Sequence, residues 1–194
     1  MHIAITLEHL SAGVGGAEAY ALTVARKLVS RGHRVTFCAA DGQAPEGMAA
    51  LFGPLDQAPS RLAALSPDLV VDWGLQVPAD LHRLGAGTHE AFQRLVLAAS
   101  PAGERLIKGL LYRLLPRHRR QRRRQAELLQ RPGVEVLAVS EFVARQVRET
   151  APGLPPERVH VLHNGVDIER FHAGGEGRAE ARRRLGLEPE AVAF

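Results

Sequence analysis

Cysteine is nearly absent from this chain of 194 residues, with Cys38 the single example. That excludes an internal disulfide and a cysteine-rich metal site. Its place in the strand-like run Val35-Thr36-Phe37-Cys38-Ala39 makes buried filler its expected role. Long apolar runs are missing as well. No stretch reaches the roughly eighteen residues of a membrane-crossing helix, and Glu8 and His9 cut the first apolar run too short for a signal-peptide core. A cytoplasmic chain is expected. Aromatic residues make up 5% of the sequence. Nucleophile signatures are missing too: there is no Cys-His pair, no nucleophile elbow and no zinc-type His-Glu spacing.

What is present is an alternation of strand and helix patterns, enough for one full α/β domain with a parallel sheet and a sizeable core. His2 to Leu7 carries Ile3, Ile5 and Leu7 as a β-rich run, and Ala17 to Val29 carries Ala17, Ala21, Val24, Ala25 and Leu28 at helical spacing. Between them lies Gly13-Val14-Gly15-Gly16-Ala17-Glu18. Glycines at a strand-to-helix junction let the backbone take positive φ and approach a ligand, and the free N–H groups of a helix start favour an anion such as a diphosphate. Gly15 and Gly16 also serve a plain tight turn. The dinucleotide fingerprint wants glycines at positions one, three and six. Gly13 and Gly15 supply two, but Glu18 occupies the sixth.

Arg31-Gly32-His33 closes the first helix, and Arg34 to Ala40 forms a second strand ending at a turn, Asp41-Gly42. Residues 42 to 60 read as a loop with one short helix at Met48 to Phe52, followed by a helical piece at Arg61 to Leu65. Leu69 to Trp73 is an unbroken apolar strand, Ala79 to Leu84 a further one, and Gly85 to Glu90 a second glycine-containing loop before a helix to about Ala98. Val134 to Val139 and Arg158 to Leu162 are strands. Ser140 is placed to cap a helix running to Thr150, and Asn164-Gly165 to form a turn.

Arg105 to Leu115 places Leu106, Ile107, Leu110, Leu111, Leu114 and Leu115 at helical spacing. Beyond Pro116 follow Arg117, Arg119, Arg120, Arg122, Arg123 and Arg124, with His118, far more positive charge than the net +4 suggests. An amphipathic helix beside an arginine cluster fits an anionic membrane surface, and equally a solvated helix face. With no aromatic side chain in the cluster to stack on bases, nucleic acid is not the expected partner.

Read in one order, Gly15-Gly16-Ala17-Glu18, Arg31-Gly32-His33-Arg34-Val35, Val139-Ser140-Glu141-Phe142, Leu162-His163-Asn164-Gly165-Val166-Asp167 and Arg170-Phe171 resemble the amino-terminal half of a family 4 glycosyltransferase. The resemblance implies a Rossmann-like parallel sheet with helices on both faces, one half of the two-domain GT-B fold. It implies transfer of a sugar from a nucleotide-sugar to a glycan or glycolipid acceptor with retention at the anomeric carbon. No cofactor is implied; the donor, a UDP- or GDP-sugar, is a substrate. Residues 79–90 with Leu111-Tyr112-Arg113 are similar to the branch acting on the lipopolysaccharide core, which implies a place on the cytoplasmic face of the inner membrane. By that likeness Gly13, Gly15 and Gly16 lie near the donor diphosphate. Glu18, Asp80, His82, Arg83 and His89 are acceptor-side candidates, and the six arginines face the membrane.

The same resemblance makes residues 1–172 the acceptor-side domain, with Arg178 to Leu187 a linker helix and Ala191 to Phe194 the first strand of a truncated second domain. That domain would hold most nucleotide contacts and the family's two glutamates eight positions apart. Glu141 with Glu149 and Glu180 with Glu188 copy this spacing by chance and receive no role. The catalytic residues stay unassigned, and a half enzyme of this kind is expected to be inactive alone. Two other classes remain open on the residues alone. One is a nicotinamide-dependent oxidoreductase with Asp41 on the ribose; the other is a non-catalytic module that binds membrane or nucleic acid.

Overall fold

A computed structural model describes residues 1–11, 15–169, 177–188 and 190–192. The chain divides into two compact units, Met1–His163 and Asn164–Phe194. The first holds seven parallel strands: β1 (His2–Leu10), β2 (Arg34–Gly42), β3 (Ala49–Phe52), β4 (Leu69–Asp72), β5 (Leu81–Leu84), β6 (Glu135–Ala138) and β7 (Val159–Val161). Their spatial order is β3-β2-β1-β4-β5-β6-β7. The chain therefore winds outward from β1 in one direction and then, from β4, in the other. Between β1 and β4 lies the point where the order reverses.

Strand alternation sorts the core into two faces. Ile3, Ile5 and Leu7 of β1 pack with Val35, Phe37 and Val71 under α1 (Gly16–Ser30), through Ala21, Leu22 and Ala25. On the opposite face Ala4 and Cys38 meet Ala58, Leu62 and Val77, which brings α2 (Ala58–Leu65) against the sheet. Further along, Leu84, Val136 and Ala138 meet Leu128 and Leu129 of α5 (Pro116–Leu129) and Val143, Ala144 and Val147 of α6 (Glu141–Thr150). α3 (His89–Ala99) and α4 (Ala102–Leu114) complete the crossover between β5 and β6. Cys38 is fully buried, as its sequence position implies.

The caps follow the chemistry of their residues. The amides of Gly32 and His33 bond back to Val29 and Leu28, with Gly32 at φ +83, ending α1 at the expected glycine. Ser140 accepts a hydrogen bond from the Val143 amide and Thr88 one from the Ala91 amide, opening α6 and α3.

Three local expectations differ from the structure. Ala49–Phe52 is a strand, not a helix: it lies parallel to β2 with Thr36 opposite Ala49, because four residues cannot nucleate a helix while the open edge of β2 offers backbone partners. Asp41-Gly42 is not a turn but the end of β2, with Gly42 paired to Leu10. Asn164-Gly165 lies in an irregular stretch. The second unit carries α7 (Gly177–Arg184), which overlaps the helix expected at Arg178 to Leu187, and Ala191 and Val192 form no strand. Residues 193–194 and the Arg170-Phe171 pair lie outside the described residues.

Gly42 is where the sheet needs a glycine. Its φ is +125, and a Cβ there would meet the Leu10 carbonyl oxygen at 2.3 Å, a backbone atom that cannot step aside. Gly42→Ala should destabilise the chain by about 2 kcal/mol. Gly133→Ala, also at positive φ but with open space, should cost less. Urea unfolding of both variants checks the order.

Candidate functional site

Ligands of open parallel sheets bind outside the carboxyl ends of the strands, where the strand order reverses. Here that crevice is bounded by the ends of β1 and β4 and the start of α1. Gly15 caps α1 in extended backbone, φ −168 and ψ 168, and no side chain caps the helix. Among the described residues no side chain accepts from the first-turn N–H groups, an arrangement that favours an anion. Neither Gly15 nor Gly16 takes the positive φ expected at this junction. A Cβ on Gly15 would meet only the mobile end of Glu18, Oε2 at 2.5 Å, and one on Gly16 would meet nothing within 4 Å. The protein itself does not require glycine at either position. Gly13 lies outside the described residues.

Glu18 stands at the third helical position, a favourable place for an acid. A carboxylate there suits a sugar hydroxyl, which donates, better than a phosphate, which repels it. Across the edge, His9 Nδ1 is 2.8 Å from Asp41 Oδ1. This bond, with the nearby Asp41, Glu8 and Glu18 charges, holds the exposed His9 above its ordinary pKa. Asp41 is thus engaged by a neighbour at the place a ribose would need it.

Arg83 of β5 packs beside the start of α1 and is buried, at 5% exposure. Its guanidinium carbon lies 4.9 Å from the Tyr20 ring centre and 4.6 Å from that of Trp73. Trp73 Nε1 donates to the Ala17 carbonyl at 3.0 Å, pinning the ring to the first turn of α1. Burial pushes the Arg83 pKa down, yet a guanidinium stays charged. Tyr20 and Trp73 were not read as site residues from the sequence. The signal was there in their rarity, since Trp73 is the sole tryptophan and directly follows β4.

The other candidates are placed elsewhere. Asp80 precedes β5, so it sits at the amino edge of the sheet, where its Oδ2 accepts from the Val70 amide at 2.8 Å. That edge is opposite the crevice. His82 is sealed in the sheet at 0% exposure. Its Nδ1 lies 3.0 Å from Asp72 Oδ2, and Asp72 Oδ1 accepts from Thr6 Oγ1 at 2.6 Å. His82 Nε2 is buried with no hydrogen-bond partner among the described residues. Neither Asp80 nor His82 can touch an acceptor in this arrangement.

His89 starts α3 and stacks on His118 of α5, with ring centres 5.1 Å apart. His89 Nε2 lies 2.9 Å from His118 Nδ1 and 3.0 Å from the Gln93 amide nitrogen. The Gln93 amide nitrogen can only donate, so that contact requires His89 Nε2 to carry no proton. The six arginines do not form one surface: Arg117, Arg120 and Arg124 line a cleft with Glu8 and Gln76, while Arg122 joins a hollow between α3 and α4. Arg119 and Arg123 are exposed, and Arg123 Nε pairs with Glu127 Oε1 at 2.8 Å.

A Rossmann-like sheet with its crevice at the β1/β4 reversal defines one half of a GT-B glycosyltransferase fold. It aligns with the crystal structure of WaaG, a glycosyltransferase involved in lipopolysaccharide biosynthesis, at a TM-score of 0.75 and 16% identity, covering 97% of this chain and 52% of that one. A glycosyltransferase from Rickettsia africae aligns at 0.59 and 14% identity, covering 98% and 50%. The chain belongs to glycosyltransferase family 4, whose profile matches residues 14–170. Among curated relatives, a D-inositol 3-phosphate glycosyltransferase of Streptomyces bingchenggensis is 55% identical over 40 residues, 21% of this chain and 9% of the relative. The chain thus spans about half the length of these solved structures and matches a small part of the curated relative.

The imidazole pair gives the α3–α5 contact a pH dependence. Burial, then the neighbouring His118 and Arg122, hold the His89 pKa below its ordinary 6.5. Because the folded pKa is depressed, the unfolded chain binds the proton first. The contribution is therefore whole above about pH 6.5 and is lost as pH falls toward the folded value. Melting temperature between pH 8 and 5 should fall more steeply for the wild type than for His89→Gln. Equal slopes would contradict the assignment.

Proposed function

We propose that this chain is the acceptor-side half of a retaining transferase, which moves a sugar from a nucleotide-sugar to a glycan or glycolipid acceptor. The observation that carries the reading is the start of α1, without a side-chain cap, at the sheet's reversal point in a chain of this family. In this reading the first-turn amides of α1 stabilise charge growing on the leaving diphosphate, as fixed dipoles that need no reorganisation. Glu18 and Arg83 face the acceptor side. No residue of this chain is assigned the donor's nucleotide or the catalytic step. No cofactor takes part.

Gly16 provides the test, because a Cβ there meets nothing within 4 Å among the described residues. In the enzyme that carries this domain, Gly16→Val should leave the melting temperature near wild type. The transfer rate should fall at least about a hundredfold, equivalent to roughly 2.7 kcal/mol of transition-state stabilisation. A stable, fully active Gly16→Val enzyme would refute the placement.

The acceptor's setting is read from α4. Leu106, Ile107, Leu110, Leu111 and Leu114 are all exposed, Leu106 at 77%, although each is apolar and they share one stripe. Arg105, Arg113 and Arg122 line the hollow beside Leu106 and Leu110. Apolar side chains rimmed by cations support docking on an anionic membrane surface, the place where a glycolipid acceptor is met. Binding to phosphatidylglycerol vesicles should be salt-sensitive, and Leu106→Gln with Leu110→Gln should weaken it at least about tenfold. Unchanged vesicle binding by that double variant would remove the membrane from the reading.

A further inference from the structure

Arg117, Arg120 and Arg124 stand three and four positions apart on α5, so they share one helix face. That face lines a cleft of about 430 Å³ with Glu8, Leu75 and Gln76. Glu8 lies near the end of β1 and Gln76 follows β4, so the cleft opens at the same carboxyl edge as the crevice, on the face that α5 covers.

One of the three arginines is already set. Arg124 Nη2 donates to the Gln76 carbonyl at 2.5 Å. Gln76 is itself held twice: its amide donates to Asp72 Oδ2 at 2.9 Å and its Nε2 to Glu8 Oε2 at 3.3 Å. Arg117 and Arg120 form no ion pair among the described residues, while the one acid that α5 carries, Glu127, is taken by Arg123. Arg117, Arg119, Arg120, Arg123 and Arg124 are all exposed, but Arg119 and Arg123 do not line this cleft. A solvated helix face does not account for three guanidinium groups gathered around a hollow with a single carboxylate, itself hydrogen-bonded to Gln76.

Guanidinium forks match the oxygens of carboxylate and phosphate. One fork satisfies a carboxylate, whereas three cations against one acid suit a group carrying close to two negative charges, such as a phosphomonoester. The cleft is large enough for such a group together with the sugar-sized moiety that bears it. We propose that this cleft is the subsite for a phosphomonoester on the acceptor. It deepens the acceptor-side reading and rests on it for what bears the phosphate, a soluble sugar phosphate or a lipid headgroup. The binding itself needs no sugar transfer.

The test follows the arginine Nε–Hε resonances of the chain by NMR as it is titrated separately with glucose 6-phosphate, glucose and dihexanoyl phosphatidic acid. Glucose 6-phosphate should move the Arg117, Arg120 and Arg124 signals saturably, and glucose should not. Arg120→Gln should weaken the binding at least about tenfold with an unchanged melting temperature. Arg119→Gln should bind as the wild type does. Movement with phosphatidic acid but not glucose 6-phosphate would support the site and name a lipid headgroup as the source. Equal binding of glucose, undiminished binding by Arg120→Gln, or no movement with either phosphate would overturn the proposal. Because only binding is read, an enzyme that fails to transfer sugar leaves this result intact.

Discussion

The carboxylate of Asp72 is 1% exposed at the end of the central strand β4, and the carboxyl edge of the sheet is organised around it. A buried charge is tolerated only when its lone pairs are met. Thr6 of β1, His82 of β5 and the amide of Gln76 meet them, which ties three strands and the following loop to one side chain. The loop so fixed presents Trp73 to α1 on one face of the sheet and Gln76 to α5 on the other. Removing one member of such a set leaves the rest buried and unpaired, which costs about 1–3 kcal/mol for each neutral group.

From that anchor two regions of the carboxyl edge separate. On the α1 face, Trp73 and Tyr20 hold Arg83 beside a helix start that no side chain caps. On the α5 face, Gln76 and Glu8 set one wall of an arginine-lined cleft. The sheet's reversal point is fixed by topology, whereas the helix faces around it can differ between proteins that share the scaffold.

Much of the fold is legible in the sequence because strands buried on both faces and capped helices leave strong local signals. β1, β2 and β4, Gly32 after α1 and Ser140 before α6 are each set by such a signal. β3 is not, since Met48-Ala49-Ala50-Leu51-Phe52 has neither period over so few residues and takes its state from the free edge of β2. The site is less legible. Asp80 and His82 carry the right chemistry, but being at the start or the middle of β5 decides which edge or face a side chain serves. The arginine run reads as one basic patch until the helical turn divides it between a cleft, a hollow and solvent.

The central claim is that the start of α1 meets the diphosphate of a nucleotide-sugar. Mapping the backbone amides of the chain by NMR with UDP-glucose tests it directly, because even weak binding moves the resonances it touches. The account predicts saturable shifts at Gly16, Ala17 and Glu18, with the Trp73 indole following and Asp41 unmoved. Shifts centred on Asp41, strengthened when NADH replaces UDP-glucose, or a complete absence of shifts at the start of α1, would contradict it.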